Sequence, residues 1–194
     1  MPEPRFVVAR LELPVSEELR TACALFHAAG GRYEDDATAA TVDSFFPEGC
    51  IRSIGLGIGT TYLLLKVVDD ARPEVIGYVS VGLDGFKLSG RERTAIGGTP
   101  FAAMGAVRVG MIGIDHRHHE KGHGGTLLAT AIGLAERVAE TVPVRFLVAD
   151  VNPAAEGFYL KHDFVPNAAE DAQRKNAETG TIGMRLDLLE TVPA

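Results

Sequence analysis

The spacing of hydrophobic and polar residues along the chain predicts a mixture of strands and helices. Runs rich in β-branched and other apolar residues predict strands at 5–12, 60–69, 74–86, 106–115, 144–151 and 181–190. Apolar positions at helical spacing predict helices from Ser16 towards Gly30, over about 37–46, over the residues after Gly125, and from Pro153 to Phe164. The order β-α-α-β-β-β-α-β-α-β therefore predicts one mixed α/β domain over residues 1–194.

Polar and glycine-rich segments set the limits of these elements. Ser16 is suited to cap the first helix, and Pro47 is suited to end the second. The sequence DDARPE at 69–74 predicts a turn that joins the second and third strands into a hairpin. Residues 87–104 are polar and rich in glycine, which predicts a long loop of the kind that is often functional or mobile.

Composition and charge narrow the classes of protein that fit. The chain has 46% hydrophobic and 23% charged residues, as an ordinary soluble globular domain has. The first residues lack the apolar region of a signal peptide, and no apolar run approaches the roughly 18 residues of a membrane span. Cys23 and Cys50 have neither CxxC nor zinc spacing, so we expect free thiols and a cytoplasmic location. The formal net charge of −7 opposes general nucleic-acid binding but leaves room for a local basic patch.

Four of the six histidines lie in the stretch DHRHHEKGHGGTLL at 115–128, between a predicted strand and a predicted helix. A metal site, a phosphate-binding loop and a solvated turn are the alternatives for this stretch. The imidazoles could bind zinc, but a loop tip that leads into a helix gives poor convergence. Neither HExxH nor a His/Cys pattern is present, so we expect no metal.

Two glycine motifs begin like nucleotide-binding fingerprints but lack parts of them. GLGIGT at 55–60 has Thr60 in place of the third glycine and precedes a strand, which favours a turn. GHGGTL at 122–127 lies between a strand and a helix, as a fingerprint should. However, Leu127 replaces its last glycine, and no lysine precedes Thr126 as a Walker loop requires. Both nucleotide-fold interpretations therefore fail.

The helix that follows Gly122 nevertheless has the physical features of an anion site. The first N–H groups of a helix lack intrahelical acceptors, and the helix dipole favours negative charge beside them. Gly122, Gly124 and Gly125 carry no Cβ, so the backbone can approach a ligand closely. Arg117 and Lys121 add positive charge nearby. We call residues 119–125 the phosphate loop.

Residues 106–165 resemble the GNAT acetyltransferase superfamily. The pyrophosphate signature of that family, Arg/Gln-x-x-Gly-x-Gly/Ala, matches His119–Gly124, with His119 where Arg or Gln is usual. The signature Asn-x-x-Ala-x-x-x-Tyr is met by Asn152, Ala155 and Tyr159, and Phe164 matches the phenylalanine that follows. The two motifs are separated as in the family, which makes the match specific.

The resemblance implies a fold and a co-substrate. The fold is a single GNAT-like domain whose central mixed, mostly antiparallel sheet splays between strands 4 and 5 and is flanked by helices. Acetyl-CoA would bind at the splay without a metal, with its pantetheine on the backbone of 112–114 and its pyrophosphate on the phosphate loop. The cofactor-binding residues so implied are Ile112, Gly113, Ile114, His119, Glu120, Lys121, Gly122, His123, Gly124, Gly125, Thr126, Asn152 and Tyr159.

The reaction that the resemblance implies is direct attack of an amine on the thioester, with Tyr159 protonating the departing thiolate. A lysine amine with a pKa of about 10.4 is neutral in roughly one molecule in a thousand at pH 7.5, which costs about 4 kcal/mol. An α-amine with a pKa near 7.8 is about one-third neutral and needs little help. Arg108 stands where histone-type members carry a glutamate base, so Asp115, Asp150 and His116 are the candidate bases, acting through water.

We expect the acceptor to be a primary amine of a small molecule, an amino acid or a peptide. One alternative is a GNAT-type toxin that acetylates aminoacyl-tRNA, favoured by the missing base, the predicted loop and the segment GFYLKHDF at 157–164. The acidic charge opposes that alternative, so we expect no nucleic-acid partner unless the chain is such a toxin, with tRNA as its partner. Another alternative is a catalytically silent acyl-CoA sensor, which Tyr159 argues against. No membrane partner is expected, and a homodimer is suggested by analogy alone.

Overall fold

The computed structural model describes residues 3–30, 36–68, 71–101, 103–169, 174 and 177–189. The strands within this part of the chain are β1 (Arg5–Arg10), β2 (Thr60–Val67), β3 (Glu74–Lys87), β4 (Ala103–Ile114), β5 (Phe146–Val151), β6 (Val165–Pro166) and β7 (Ile182–Asp187). The helices are α1 (Glu17–Cys23), α2 (Ala37–Phe45), α3 (Glu48–Gly55), α4 (Gly90–Ala95), α5 (His123–Ala139) and α6 (Glu156–Leu160). Single 3-10 turns lie at His116–His118 and Pro153–Ala155.

The strands form one sheet in the order β1-β2-β3-β4-β5-β7-β6. β2 pairs antiparallel with β1 and with β3, and β7 pairs antiparallel with β5 and with β6. β4 and β5 are parallel, in a register that runs from Ala106–Phe146 to Val109–Ala149. β4 continues to Ile114 and β5 to Val151, beyond that register. The mixed, mostly antiparallel sheet with one parallel pair confirms the fold class predicted above.

The chain divides into two compact units, one of residues 1–82 and 110–131 and the other of residues 83–109 and 132–194. The prediction that 1–194 is one domain therefore stays a prediction. Among the described residues, no helix combines the length and hydrophobicity that crossing a membrane requires.

The first unit has a core built around Tyr78. The ring of Tyr78 stacks on Phe46 with centroids 4.5 Å apart and meets the edge of Phe26 at 5.6 Å. Its hydroxyl donates to the carbonyl of Val42 at 3.0 Å, which joins β3 to α2. Burial raises the pKa of this phenol, so it remains a neutral donor.

Both cysteines lie buried in the same core as free thiols, as the sequence predicted. Burial raises the pKa of Cys23 to about 11 and that of Cys50 to about 12. At neutral pH both therefore stay protonated and behave as small apolar residues rather than as nucleophiles.

The second unit has a smaller core of Phe86, Leu88, Ala106, Phe146 and Val148. The prediction of one long loop over 87–104 was wrong in part, because α4 lies within it. A capping box starts that helix: the hydroxyl of Ser89 accepts from the N–H of Glu92, and Glu92 accepts from the N–H of Ser89. The Ser-x-x-Glu spacing at 89–92 is the sequence signal that could have predicted it.

Several element limits also differ from the prediction. Ser16 caps α1 as expected, but the helix ends at Cys23 instead of continuing towards Gly30. Pro47 ends α2 as expected, and α3, which was not predicted, follows directly. The helix predicted from Pro153 to Phe164 is a 3-10 turn followed by the short α6. Asp163, directly before Phe164, has a φ of 63°, the left-handed backbone that glycine adopts most easily.

Candidate functional site

At the end of β4, the backbone N–H and C=O groups of every second residue point away from β3. The N–H of Asp115 donates to the carbonyl of Ile76 on β3 at 2.8 Å. Because backbone groups alternate in direction along a strand, the N–H and C=O groups of Ile112 and Ile114 point to the opposite edge of β4. Both residues lie beyond the register with β5. This is the edge at which pantetheine was predicted to pair.

Gly113 has a packing reason to be glycine. A Cβ at this position would lie 2.3 Å from Cγ1 of Val42 and 3.0 Å from Cε1 of Tyr78. Its carbonyl faces β3, since a Cβ on Gly77 would lie 2.6 Å from that oxygen. The structure therefore gives Gly113 a role in seating α2 on β4, and its predicted contact with the cofactor stays a prediction.

His119 ties the phosphate loop to the end of β4. Its Nε2 donates to the carbonyl of Ile114 at 2.9 Å, on the outward edge of that strand. Next to it, Glu120 has a φ of 62° and Gly122 a φ of 82°, so the chain turns twice through the left-handed region. The sequence showed His119 only as a departure from Arg or Gln, whereas the structure gives it a positioning contact.

The first turn of α5 offers free amide groups. The carbonyl of Gly122 accepts from the N–H groups of Gly125 at 3.0 Å and Thr126 at 3.4 Å. The N–H groups of His123 and Gly124 precede these and have no acceptor within the helix. A Cβ at Gly122 would have nothing within 4 Å, so there is open space beside this residue at the start of the turn. Open space beside unpaired first-turn amides is what an anion-binding loop requires.

The histidines around this turn make contacts within the protein. His118 shares a hydrogen bond with Glu74 at 3.0 Å, and Nδ1 of His116 donates to the carbonyl of His27 at 3.0 Å. Burial, followed by the positive charges of His118 and Lys121, lowers the pKa of His123. Its imidazole is therefore less readily protonated than that of an ordinary histidine. Among the described residues, no group of three or more His, Cys, Asp or Glu side chains is arranged to hold a metal ion.

Arg117 is engaged by acidic groups, contrary to the expectation that it adds charge to the phosphate loop. Its Nε lies 2.8 Å from Oδ1 of Asp115 and its Nη2 lies 2.9 Å from Oδ2. Glu74 is a further partner at 3.5 Å. Lys121 donates to the carbonyl of Arg117 at 2.8 Å and remains exposed. Of the two cations expected beside the phosphate loop, Lys121 is therefore the one available to a ligand.

Asp115 is fully buried and surrounded by donors. Burial would raise its pKa, but hydrogen bonds from the side chain and N–H of Arg117 and from the N–H of His27 outweigh burial, and the pKa is lowered. The ionised carboxylate caps the turn His116–His118. These contacts give Asp115 a structural function, and its predicted action as a base remains a prediction.

Asp150 and Arg108 belong to the second unit. Nη1 of Arg108 lies 2.9 Å from Oδ2 of Asp150, and Nε of the same guanidinium donates to Asp84 on β3. Arg108 on β4 is thus paired with one carboxylate from each neighbouring strand, Asp84 on β3 and Asp150 on β5. Asp84 was missed by the sequence analysis, because nothing in its local sequence shows which strand lies next to it.

Asn152 and Tyr159 also belong to the second unit. Oδ1 of Asn152 accepts from the N–H of Ala154 at 2.9 Å and so caps the turn Pro153–Ala155. Tyr159 is only 5% exposed, and its ring meets the rings of Phe158 and Phe164 edge-on at 5.2 Å each. Burial raises the pKa of Tyr159 to about 12, so the phenol keeps its proton at any physiological pH.

No family model and no curated protein matches the chain. Solved structures do match. AtaT complexed with acetyl-methionyl-tRNAfMet aligns with a TM-score of 0.73 and 17% identity over 96% of each chain. A tyrosine-to-phenylalanine variant of KacT aligns with a TM-score of 0.72 and 16% identity over 95% of this chain and 96% of its own.

A tyrosine-to-phenylalanine variant of the AtaT toxin, bound to the C-terminus of the antitoxin AtaR and to acetyl-CoA, aligns with a TM-score of 0.67 and 17% identity. That alignment covers 95% of this chain and 94% of the other. At such low sequence identity, structural alignment over nearly the whole length shows that the fold is shared and nothing more. The chain therefore has the GNAT fold that these structures share.

Proposed function

We propose that the chain is a GNAT-type N-acetyltransferase that uses acetyl-CoA and transfers the acetyl group to the α-amine of an aminoacyl-tRNA. One observation carries the proposal for acetyl-CoA. The outward N–H and C=O of Ile112 and the outward N–H of Ile114 lead into the first-turn amides of α5, through a loop that His119 ties to the carbonyl of Ile114. That succession offers hydrogen bonds to an extended amide chain and then to a diphosphate, which is the chemistry of coenzyme A.

The residues present fit this group. Ile112 and Ile114 would hold the pantetheine amides, and the amides of His123 and Gly124 would hold the pyrophosphate. Lys121 is exposed and can approach the phosphates. Thr126 lies in the first turn and is also exposed, which keeps it a candidate contact. Glu120 sits in the same loop, so its contribution is expected to come from the backbone, since a carboxylate repels phosphate.

Acetyl-CoA supplies a thioester whose acyl group an amine can take directly. Tyr159 would provide the proton that the sulfur needs as it leaves. A phenol with a pKa of about 12 is fully protonated at pH 7, which is the state that a donor must have. Its edge-on contacts with Phe158 and Phe164 restrict the orientation of the ring and so the position of the hydroxyl oxygen. Asn152 is proposed as a further contact of the cofactor.

The proposal for the acceptor rests on the contacts of the two candidate bases, the carboxylates of Asp115 and Asp150. Asp115 is buried and surrounded by donors, and Asp150 is paired with Arg108, so neither is poised to take a proton. An enzyme without a free base favours an amine that is already neutral in part, and an α-amine meets that condition near pH 7.5. Among α-amines, aminoacyl-tRNA is supported by the fold shared with AtaT, which was solved with acetyl-methionyl-tRNAfMet.

A small primary amine, which the sequence first favoured, is the second candidate function. The formal net charge of −7 supports it, because a small acceptor requires no basic surface. An acceptor panel distinguishes the two. We would compare a set of aminoacyl-tRNAs with the corresponding free amino acids, peptides and polyamines, following transfer from radiolabelled acetyl-CoA. Modification of aminoacyl-tRNA alone supports the main proposal, and modification of the free amines alone supports the second.

The role of Tyr159 is tested with Tyr159→Phe against Tyr62→Phe, which removes a hydroxyl from β2, outside the proposed site. We expect Tyr159→Phe to lower kcat by about 100-fold, because general-acid catalysis contributes at least that much. The Kd for coenzyme A, measured by calorimetry, should change less than twofold in both variants. Tyr62→Phe should keep the kcat of the wild type. Equal kcat values for all three proteins would remove Tyr159 from the reaction.

A further inference from the structure

The edge strand β1 is exposed on both of its faces. In the sheet order it lies at one end, and within the described part of the chain β2 is its neighbour. Phe6 is 50% exposed, Val7 45% and Val8 37%, although consecutive side chains of a strand point to opposite faces. An apolar edge strand of this kind is a template for another strand, and natural proteins usually shield it.

We infer that β1 is a docking site for an extended peptide of a separate partner protein, which joins the sheet as an added strand. The peptide has an apolar centre and acidic ends. This inference uses the fold and the surface of the first unit, and it holds whether or not the chain transfers acetyl groups.

The hydrogen bonds of β1 show which groups are available. The N–H of Leu11 donates to the carbonyl of Thr61 at 2.8 Å, and the register with β2 is regular from Arg5 to Arg10. Odd-numbered residues therefore turn their backbone groups towards β2. Even-numbered residues turn theirs outward, which presents the N–H and C=O groups of Phe6, Val8 and Arg10. Pro4 has no N–H to offer, so pairing is expected from Phe6 onward.

The charged residues of β1 indicate which residues are expected at the two ends of the partner strand. Arg5 and Arg10 are both exposed and bracket the apolar residues Phe6, Val7 and Val8. Each arginine can pair with a carboxylate at an end of the added strand, and Arg forms such pairs in bidentate geometry. An acidic-apolar-acidic segment of about six residues, whose ends lie on opposite faces as Arg5 and Arg10 do, thus matches both the length and the charge of β1.

A second copy of the chain matches the edge less well. Outward groups can bond only to outward groups, so a two-fold antiparallel pair must place even-numbered residues opposite even-numbered residues. In registers centred on Val7 or Val8, Arg10 then faces Pro4 or Phe6 of the other copy. Neither register puts a carboxylate opposite an arginine, and four arginines gather along one pair of strands.

The docked strand would lie close to the first turn of α5. The ring of Phe6 packs against that of His123 with centroids 5.0 Å apart, and His123 is the first residue of the helix. A partner on β1 would therefore contact the neighbourhood of the phosphate loop within the same unit. Local sequence patterns could not predict this contact, because Phe6 and His123 are far apart along the chain.

The test uses the full chain and two fluorescent six-residue peptides, EVTVTE and its basic counterpart KVTVTK, with blocked ends. Binding is followed by fluorescence polarisation near physiological salt. We expect the wild type to bind the acidic peptide at least about tenfold more tightly than the basic one, a difference of about 1.4 kcal/mol. The double variant Arg5→Glu/Arg10→Glu should reverse that preference.

The variant Val8→Pro separates strand addition from simple attraction between charges. It removes one outward N–H and leaves the bonds to β2, since proline is tolerated on an edge strand at such a position. We expect it to bind the acidic peptide at least about tenfold more weakly than Val8→Thr, which keeps the N–H. Thermal melts of both variants verify folding.

Three outcomes would overturn the inference. One is a wild type that does not distinguish the two peptides or binds neither, and another is a Val8→Pro variant that binds like Val8→Thr. The third is a wild type that sediments as a dimer and becomes monomeric on Val8→Pro, because a second copy would then be the occupant of β1.

Discussion

At Gly113 the lack of a side chain is a requirement of packing between α2 and β4. A Cβ there would approach Val42 to 2.3 Å and Tyr78 to 3.0 Å, and Tyr78 is itself held by its bond to the carbonyl of Val42. We predict that Gly113→Ala lowers the free energy of unfolding by about 1–3 kcal/mol through overpacking. Urea unfolding followed by circular dichroism measures it.

The matched control is Gly133→Ala in the body of α5. The nearest atom to a Cβ there is Nη1 of Arg137 at 4.0 Å, so no clash arises. Alanine has the better helix propensity, and this variant should gain up to about 1 kcal/mol. If both substitutions changed stability in the same direction, the packing explanation for Gly113 would be wrong.

Single residues also show where reasoning from the sequence reached its limit. The positions of Gly122 and His123 at the start of a helix followed from a strand, a glycine run and an amphipathic stretch in succession. The partners of Arg117 did not follow, since the carbonyl of Leu25 and the carboxylate of Glu74 meet it only in the folded chain. Local sequence predicts backbone geometry well, but it leaves the pairing of charges open.

At the scale of elements, α4 depends on one carboxylate. Glu92 accepts from the N–H groups of Ser89 at 2.7 Å and Ala168 at 3.2 Å and pairs with Arg185 at 2.6 Å. Burial acts to raise its pKa, but these donors outweigh burial and lower it. We predict that Glu92→Gln lowers the free energy of unfolding by about 2 kcal/mol at pH 7, the scale of hydrogen bonds to a charged group.

The pH dependence of that loss follows from the sign of the shift. A pKa lowered by folding means that the ionised carboxylate stabilises the protein above the pKa of the unfolded chain, about 4.3 for glutamate. The contribution fades as the pH falls through the lower pKa of the folded state. The difference in unfolding free energy between wild type and variant should therefore be largest at pH 7 and shrink as the pH falls below about 4. A difference as large at pH 3 as at pH 7 would contradict this account.

Element order was predicted better than element limits. Six of the strands were predicted from periodicity, because each contains a run of apolar residues long enough to be recognised as a strand. β6 spans only Val165–Pro166 and has no pattern to detect. α3 and α4 are short, and α6 is shorter than predicted because the chain leaves the helix after Leu160. Tertiary contacts decide the ends of such short elements, and these contacts are absent from local sequence.

For the candidate site, the two motifs placed the phosphate loop, Asn152 and Tyr159 on the elements where they are found. The restraints on the loop were not predictable. His119 reaches back to Ile114 over five positions, a contact that depends on the left-handed turn at Glu120. The pairing of Arg108 with Asp84 depends on which strand lies beside β4, and periodicity does not fix the order of strands in a sheet.

At the scale of the whole molecule, low sequence identity and a shared fold are compatible. The three solved structures described above are only 16–17% identical to this chain, with TM-scores of 0.67–0.73. Cores tolerate extensive replacement when volume and pattern are kept, so many sequences can form the same sheet and helices. Charge is not constrained in that way, and it is free to differ among proteins of one fold.

The last prediction concerns that charge. The formal net charge is −7, and several described cations are already paired with carboxylates, namely Lys66, Arg108, Arg117, Arg145 and Arg185. If aminoacyl-tRNA is the acceptor, these five paired cations are less available to the body of the RNA, and the negative total charge opposes further contacts with it. We therefore expect recognition to concentrate on the aminoacyl end. The KM for an aminoacylated acceptor-stem minihelix should lie within about tenfold of that for the intact aminoacyl-tRNA.

Salt dependence provides the matched measurement. Each phosphate that a protein neutralises adds about −0.9 to the slope of log K against log salt for a duplex. With three or fewer contacts, the slope for the intact aminoacyl-tRNA should be no steeper than about −3. The minihelix should give nearly the same slope, since both acceptors present the same end. A steep slope for the tRNA alone, with a large rise in KM for the minihelix, would mean that a basic surface binds the tRNA body despite the acidic total.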